Sequence, residues 1–224
     1  MIKRLIAAVL ALSLAAIPSF AFAQEEGVTA PAPRFFQRVN FDQQVDPETV
    51  LYLDLSSGER VAIRLMPSWA PNHVERIKTL TRQGFYDGVI FHRVIEGFMA
   101  QTGDPTGTGQ GGSQLPDLVQ EFNPMPHVRG TISMARAAGE DSANSQFFIV
   151  FYPRLGLDRK YTNLGRVIGG MAAVDAIARG EPPANPTRIV QASIAADGKA
   201  PPVIEAPAPR QEITAEMLSQ SVSQ

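Results

Sequence analysis

The sequence contains no cysteine. That excludes disulfides, thiolate catalysis, cysteine-based zinc sites and a lipidated N-terminal cysteine. A cysteine-free chain is at ease in an oxidising compartment without proving one. Histidine is scarce too: His73, His92 and His127 are the three, and none stands at metal-ligand spacing. No block of like charge occurs, and the formal net charge is −2, which argues against nucleic acid as a partner. There is no HExxH, P-loop or GxGxxG motif. The Gly-rich run from Gly107 to Gly112 has no Lys-Ser/Thr after it and reads as a mobile surface loop. Ser133, Ser142 and Ser145 sit in no nucleophile elbow, and no motif singles out a pair among the 22 carboxylates. The chemistry expected is one that needs no nucleophile, metal or cofactor.

Long apolar runs are absent beyond the N-terminus. There, Met1-Ile2-Lys3-Arg4 forms a basic start, Leu5 to Ile17 an apolar stretch too short to span a bilayer, and Ala21-Phe22-Ala23 an A-x-A cleavage signature. The order of these parts predicts a cleaved secretory signal over 1–23. The mature protein is then periplasmic or otherwise exported, with no stable membrane insertion. Residues 24–47 are polar and broken by Pro31, Pro33 and Pro47, and read as an extended arm. From about Ala196 the chain is again Pro-rich. The 196–224 tail has one optional handle, a short helix with Thr214 as its N-cap and Ile213 stapled on Leu218.

Between the arms lies a domain of 48–195. Val50–Leu55, a Ser56-Ser57-Gly58-Glu59 turn and Arg60–Leu65 predict a hairpin. Pro71 opens a helix with Val74, Ile77 and Leu80 at helical spacing, closed near Gly84. Strand-like pieces follow at 89–95, 98–101, 130–135, 146–151 and 162–168, and a second helix at 171–179 with Gly180 after its end. Short strands, Gly-rich loops and two flanking helices point to a closed antiparallel barrel capped by helices.

Four stretches hold the residues of interest. In Phe91-His92-Arg93-Val94-Ile95, strand alternation puts Val89, Phe91, Arg93 and Ile95 on one face. Arg93 then lies on an otherwise apolar face. Its stem covers hydrocarbon with the head in water, or it is a fixed cation at the rim of an apolar pocket; this stretch leaves both open. In Gln146-Phe147-Phe148-Ile149-Val150-Phe151, the residues Phe147, Ile149 and Phe151 form a core stripe, and Gln146, Phe148 and Val150 face the other way. Gly130 to Ala137 reads as a strand leading into a loop, with Met134 in the core. Gly156 to Val167 is a turn feeding a strand.

Together these stretches resemble the cyclophilin-type peptidyl-prolyl cis-trans isomerases. The resemblance rests on FHRVIEGFMAQTGDPTGTGQGG (91–112), GTISMARA (130–137), NSQFFI (144–149) and LDRKYTNLGRVIGGM (157–171), in the family's order and near its spacing. It covers roughly 48–195. It implies a mainly β fold, a closed eight-stranded antiparallel barrel capped by two α-helices, with an active groove on the outer surface. It implies proline-containing polypeptides as partners, a monomer, no cofactor and no metal. By matching motif position, Arg93 is the catalytic arginine, supported by Gln101 and Phe98. Met99, Phe148 and Leu157 join Phe98 around the proline ring, Gln101, Ala135 and Gln146 hold the peptide backbone, and His92 and Tyr161 also fall on family positions. The chain departs from the pattern at three places. Arg136 stands where many eukaryotic members have Asn, Gly156 where some have Trp, and Tyr161 where many have His. The expected role is folding of exported proteins. A non-catalytic proline-binding chaperone, or an envelope scaffold acting through the Pro-rich arms, is the alternative on the same fold.

Overall fold

The computed structural model describes residues 45–203. The expected signal sequence over 1–23, most of the expected N-terminal arm and the expected short helix at Thr214 lie outside the described residues. The order of elements is β1 (Val50–Leu55), β2 (Arg60–Leu65), α1 (Pro71–Arg82), β3 (Arg93–Ile95), β4 (Met99–Thr102), β5 (Thr131–Met134), β6 (Phe147–Val150), β7 (Asn163–Gly169), α2 (Met171–Asp175) and β8 (Ile189–Ile194). One sheet of eight antiparallel strands runs β3-β4-β6-β5-β7-β2-β1-β8.

The sheet is curled but open, which corrects the closed barrel expected from the sequence. β3 and β8 are its two ends and share no ladder. Only isolated contacts cross between them, among them Phe91 N–H to the Thr187 carbonyl at 2.9 Å and the Val94–Gly180 bridge. Residues 89–92, expected to extend β3, leave its line, so isolated pairs between 88–91 and 187–189 link the two ends where a ladder was expected. Gly88 and Phe91 instead give their N–H groups to Ile189 and Thr187. The strand therefore starts only at Arg93. As a result Phe91 turns into the same core cluster as Val94, and does not share a face with Arg93.

The inner side of the curl is filled by apolar residues at alternate strand positions. Val94, Ala100, Ile149 and Ile132 lie opposite one another across four strands and are all at most 2% exposed. Phe147, Ile149, Phe151 and Met134 belong to this cluster, as their spacing indicates. α1 closes one end with Val74, Ile77 and Leu80 buried, and Pro71 opens it where a missing N–H costs nothing. α2 is shorter than the periodicity suggests: it stops at Asp175, with the Ala176 N–H bonded to the Ala172 carbonyl, although Ile177 still reaches the core. β8 carries no clear alternation and was not among the strands read from pattern. It forms because β1 offers it a partner edge at Leu51 to Leu55. Packing continues just past the expected domain edge, where Arg82 is gripped by Glu48 and Asp197, each at 2.9 Å.

Candidate active groove on the outer face of the sheet

Opposed residues of an antiparallel ladder share a face. The register places Arg93 opposite Gln101, Gln101 opposite Phe148 and Phe148 opposite Ser133, in one row. The next row of that face is Ile95, Met99 and Val150. This is the side away from the main core, yet it holds a second apolar cluster. Met99, Ala135, Phe148 and Val150 are buried there, and Ile95, Phe98, Leu157 and Tyr161 pack against them. An apolar hollow on the outside of a sheet, rimmed by polar groups, is where a ligand is gripped.

The hollow is walled by rings and sulfur. The Tyr161 ring meets the Phe148 ring edge-on at 5.7 Å, and the Arg136 guanidinium lies 4.8 Å over Tyr161. Arg136 is held there by the Lys160, Ala137 and Ala138 carbonyls. Leu157 is presented by a 3-10 turn, Leu155–Leu157. Arg154 lies 5.4 Å over the Phe98 ring and donates to the Gly97 carbonyl.

Arg93 stands at the edge of this hollow, 43% exposed, with its Nε donating to Glu181 Oε2 at 2.8 Å. The stem and the head are thus separated in environment, and among the described residues the two Nη groups have no protein partner. Gln101 Nε2 donates to Gln146 Oε1 at 2.9 Å, and Gln146 Nε2 donates to the Gly109 and Gly111 carbonyls at 3.1 and 2.7 Å. A chain of amides therefore runs away from the arginine into a cavity of about 490 Å³ lined by Gln101, Gly109, Gly111, Ala135, Arg136 and Gln146, among others. On the other side, Ile95, Phe98, Leu155 and Leu157 line a shallower hollow of about 720 Å³. Gly156 sits in its wall, and a side chain there would meet nothing within 4 Å.

The Gly-rich run 107–112, expected to be a loose surface loop, is a fastened wall of this groove. Asp104 is fully buried and collects the N–H groups of Thr106, Thr108, Gly109 and Gly111. Burial alone would resist its ionisation. The Thr106 hydroxyl and the N–H groups of Gly111, Thr106 and Gly109 outweigh that and pull the carboxyl down to about 2. Glycine is required where the loop leaves the sheet: at Gly103, φ is +89° and a Cβ would stand 2.4 Å from the Ser145 carbonyl oxygen.

Of the residues singled out in the sequence, Arg93, Phe98, Met99, Gln101, Ala135, Gln146, Phe148, Leu157 and Tyr161 come together around this groove. His92 lies behind the groove wall: it is 4% exposed, beside Gly109 and the Gln146 side chain. Burial holds its pKa below the ordinary histidine value, so it packs as a neutral ring. Glu181, Asp104, Arg154 and His127 escaped sequence reasoning. Glu181, Arg154 and His127 act on residues far away in the chain, and Asp104 acts on N–H groups within a Gly-rich run that reads as a loop.

A family model described as cyclophilin type peptidyl-prolyl cis-trans isomerase matches residues 50–194. The chain belongs to this family. Among its relatives, a probable peptidyl-prolyl cis-trans isomerase of Brucella suis is 48% identical over 170 residues, covering 69% of this chain and 86% of that protein. Peptidyl-prolyl cis-trans isomerase B of Bacillus subtilis is 40% identical, covering 58% of this chain and 91% of its own length. In the solved structures, a cyclophilin from Hirschia baltica superposes with a TM-score of 0.64 at 31% identity, over 70% of this chain and 77% of that one. A Cryptosporidium parvum cyclophilin-type isomerase, solved in the presence of the dipeptide Ala-Pro, gives 0.60 at 28% identity, over 65% and 98%. The family match thus spans β1 to β8 of the described residues.

Proposed function

We propose that this cyclophilin turns X-Pro peptide bonds in the groove just described, with Arg93 as the catalytic group. Rotation about a peptide C–N bond loses amide resonance, at a barrier of about 18–20 kcal/mol. For X-Pro the planar forms differ by only about 0.5–1 kcal/mol, so the task is kinetic. As the bond twists, the proline nitrogen becomes pyramidal and regains a lone pair. A donor aimed at that nitrogen stabilises the twist more than either planar form. The free Nη groups of Arg93 suit this, because Glu181 engages only Nε. Phe98, Met99, Phe148 and Leu157 hold the ring by burial, while Gln101, Gln146 and Ala135 fix the backbone as the other half of the substrate turns. Tyr161 buttresses Phe148, and His92 packs behind the groove.

The observation that carries this reading is a half-exposed guanidinium beside an apolar hollow on the outward face of the sheet. Proline-containing polypeptides are the substrates, and an Ala-Pro dipeptide accompanies the related Cryptosporidium structure. The decisive experiment follows cis-trans relaxation of a short X-Pro peptide. Acceleration proportional to enzyme concentration supports catalysis; binding without acceleration would leave a proline-binding chaperone. The protein works as a monomer on exported clients, with Gln24 as its first mature residue. Supporting this are the basic, apolar and A-x-A order of residues 1–23. Intact mass and light scattering of the exported protein test both points.

A further inference from the structure

Behind Phe148 lies a hydrogen-bonded chain that the rotation chemistry does not use. The His127 side chain is fully buried. Its Nδ1 is 2.8 Å from Asp158 Oδ1, and its backbone N–H donates to the same oxygen, also at 2.8 Å. Its carbonyl accepts the Arg154 N–H at 2.7 Å. The turn that presents Leu157 is therefore hung on His127 at both ends. On the far side of the ring, Nε2 is 3.0 Å from Ser133 Oγ. Ser133 is opposite Phe148 in the ladder, and the His127 ring stacks against the Phe148 ring at 6.4 Å and 20°. Ser133 Oγ is also 2.8 Å from the Thr162 carbonyl, and its single hydrogen goes to that oxygen or to Nε2, not to both.

The same three residue types, hydrogen-bonded in the same order, serve elsewhere for acyl transfer. Here Ser133 is fully buried and faces the groove only through Phe148, so no substrate carbonyl reaches it. The chain has another consequence. The proline hollow has two walls from different local structures, Phe148 on β6 and Leu157 on the turn that follows it. Both walls belong to the second apolar cluster, yet the turn lies outside every strand and gains nothing from the ladder. His127 is the one described side chain that hydrogen-bonds to both supports.

We propose that His127, through Asp158 and Ser133, is a positioning residue that sets the distance between the Phe148 and Leu157 walls of the proline pocket. A carboxylate takes two donors from one residue, so Asp158 fixes the turn in translation and rotation together. Ser133 fixes the opposite edge of the ring. The geometry thereby ties the two walls together through groups that lie behind the pocket. Loss of the chain widens the pocket. It weakens the grip on proline in the planar and twisted states alike, so the defect appears in KM more than in kcat.

The inference rests on the reading of the hollow as the proline site, and the test separates the two. Asp158→Ala removes the oxygen that takes both His127 bonds, at a partly exposed position, and Asp158→Asn keeps one amide oxygen for the two His127 donors. His127→Phe keeps the ring and loses both side-chain bonds. His73→Phe is the control, since His73 is an equally buried histidine paired to a carboxylate, Glu121, away from the groove. Each full-length variant is assayed on an X-Pro peptide well below its melting temperature, and the Phe148 ring is followed by aromatic carbon NMR. Asp158→Ala and His127→Phe are expected to lose at least about five-fold in kcat/KM, mainly through KM, and to shift or broaden the Phe148 signals. Asp158→Asn is expected closer to the wild type than to Asp158→Ala, and His73→Phe to lower stability while leaving KM in place. A smaller loss in Asp158→Ala, an equal loss in Asp158→Asn, or a matching loss in His73→Phe overturns the proposal. Phe148→Ala decides which layer failed. If it is inactive while Asp158→Ala is active, the pocket stands and the positioning role falls; if it is active, the hollow itself is misread.

Discussion

Arg93→Ala is the perturbation that tests the groove most directly. Two magnitudes decide what it does. The first is stability. Arg93 and Glu181 are 43% and 51% exposed and share one contact at 2.8 Å. Such a pair in water is worth about 0–1 kcal/mol, and no core atom is removed, so the variant folds. The second is catalysis. A charge-assisted hydrogen bond from a free Nη to the twisted amide contributes about 1.5–3 kcal/mol. Because planar substrate offers no lone pair there, most of this appears in the barrier, and kcat/KM falls about 10- to 150-fold. Arg93→Lys is expected to recover little. Its single ammonium can satisfy Glu181 or the substrate, whereas guanidinium serves Glu181 through Nε and keeps Nη for the peptide. Glu181→Gln, by contrast, leaves Nη untouched and is expected to change the rate by less than about three-fold. The assay is cis-trans relaxation of a short X-Pro peptide on variants shown to be folded by circular dichroism. Folded Arg93→Ala with near wild-type turnover refutes the assignment, and the arginine becomes a stem over hydrocarbon with its head in water.

Other expected outcomes come from the same geometry. Gly103→Ala places a Cβ 2.4 Å from the Ser145 carbonyl at a φ of +89°. It should lower the melting temperature by several degrees, roughly the effect of 1–3 kcal/mol of backbone strain, and an unchanged melt would contradict the fit. His73, His92 and His127 are each held below the ordinary histidine value, first by burial, with Glu121 and Asp158 opposing at His73 and His127. The unfolded chain thus takes up protons near pH 6.5 that the folded chain refuses. Stability is full above that pH and declines as pH falls towards about 5; melts that do not change across that window would be inconsistent with neutral buried rings. Gly156→Trp fills an open wall at a position with no steric neighbour. It should tighten cyclosporin inhibition relative to the parent chain, and nanomolar inhibition of the parent would show that another group already covers that wall. A fragment of residues 45–203, which retains the Glu48–Arg82–Asp197 contacts, should isomerise short peptides like the full chain; most of the turnover lost from a folded fragment would assign the arms a catalytic part.

The sequence by itself determined the parts whose information is local. Alternation along 146–151 separates Phe147, Ile149 and Phe151 from Phe148 and Val150 because successive strand residues point to opposite faces. The spacing of Val74, Ile77 and Leu80 behind Pro71 defines α1 for the same kind of reason. The family motifs mark the groove residues at their own positions. What only tertiary structure decided depends on partners distant in the chain. β8 forms on the edge that β1 offers, and β3 is cut to three residues because Gly88 and Phe91 spend their N–H groups on 187–189. Those few bonds link the two sheet ends without making a ladder, so the sheet stays open. The Gly-rich loop differs, since its partner Asp104 is close in the chain; it becomes a wall because folding buries that carboxylate among the loop's N–H groups. Glu181 lies 88 residues from Arg93, and Asp158 lies 31 from His127. Hydrogen bonds are short-ranged and directional, so which side chains they join is fixed by the folded backbone, and nothing in the spacing along the chain announces the pairs.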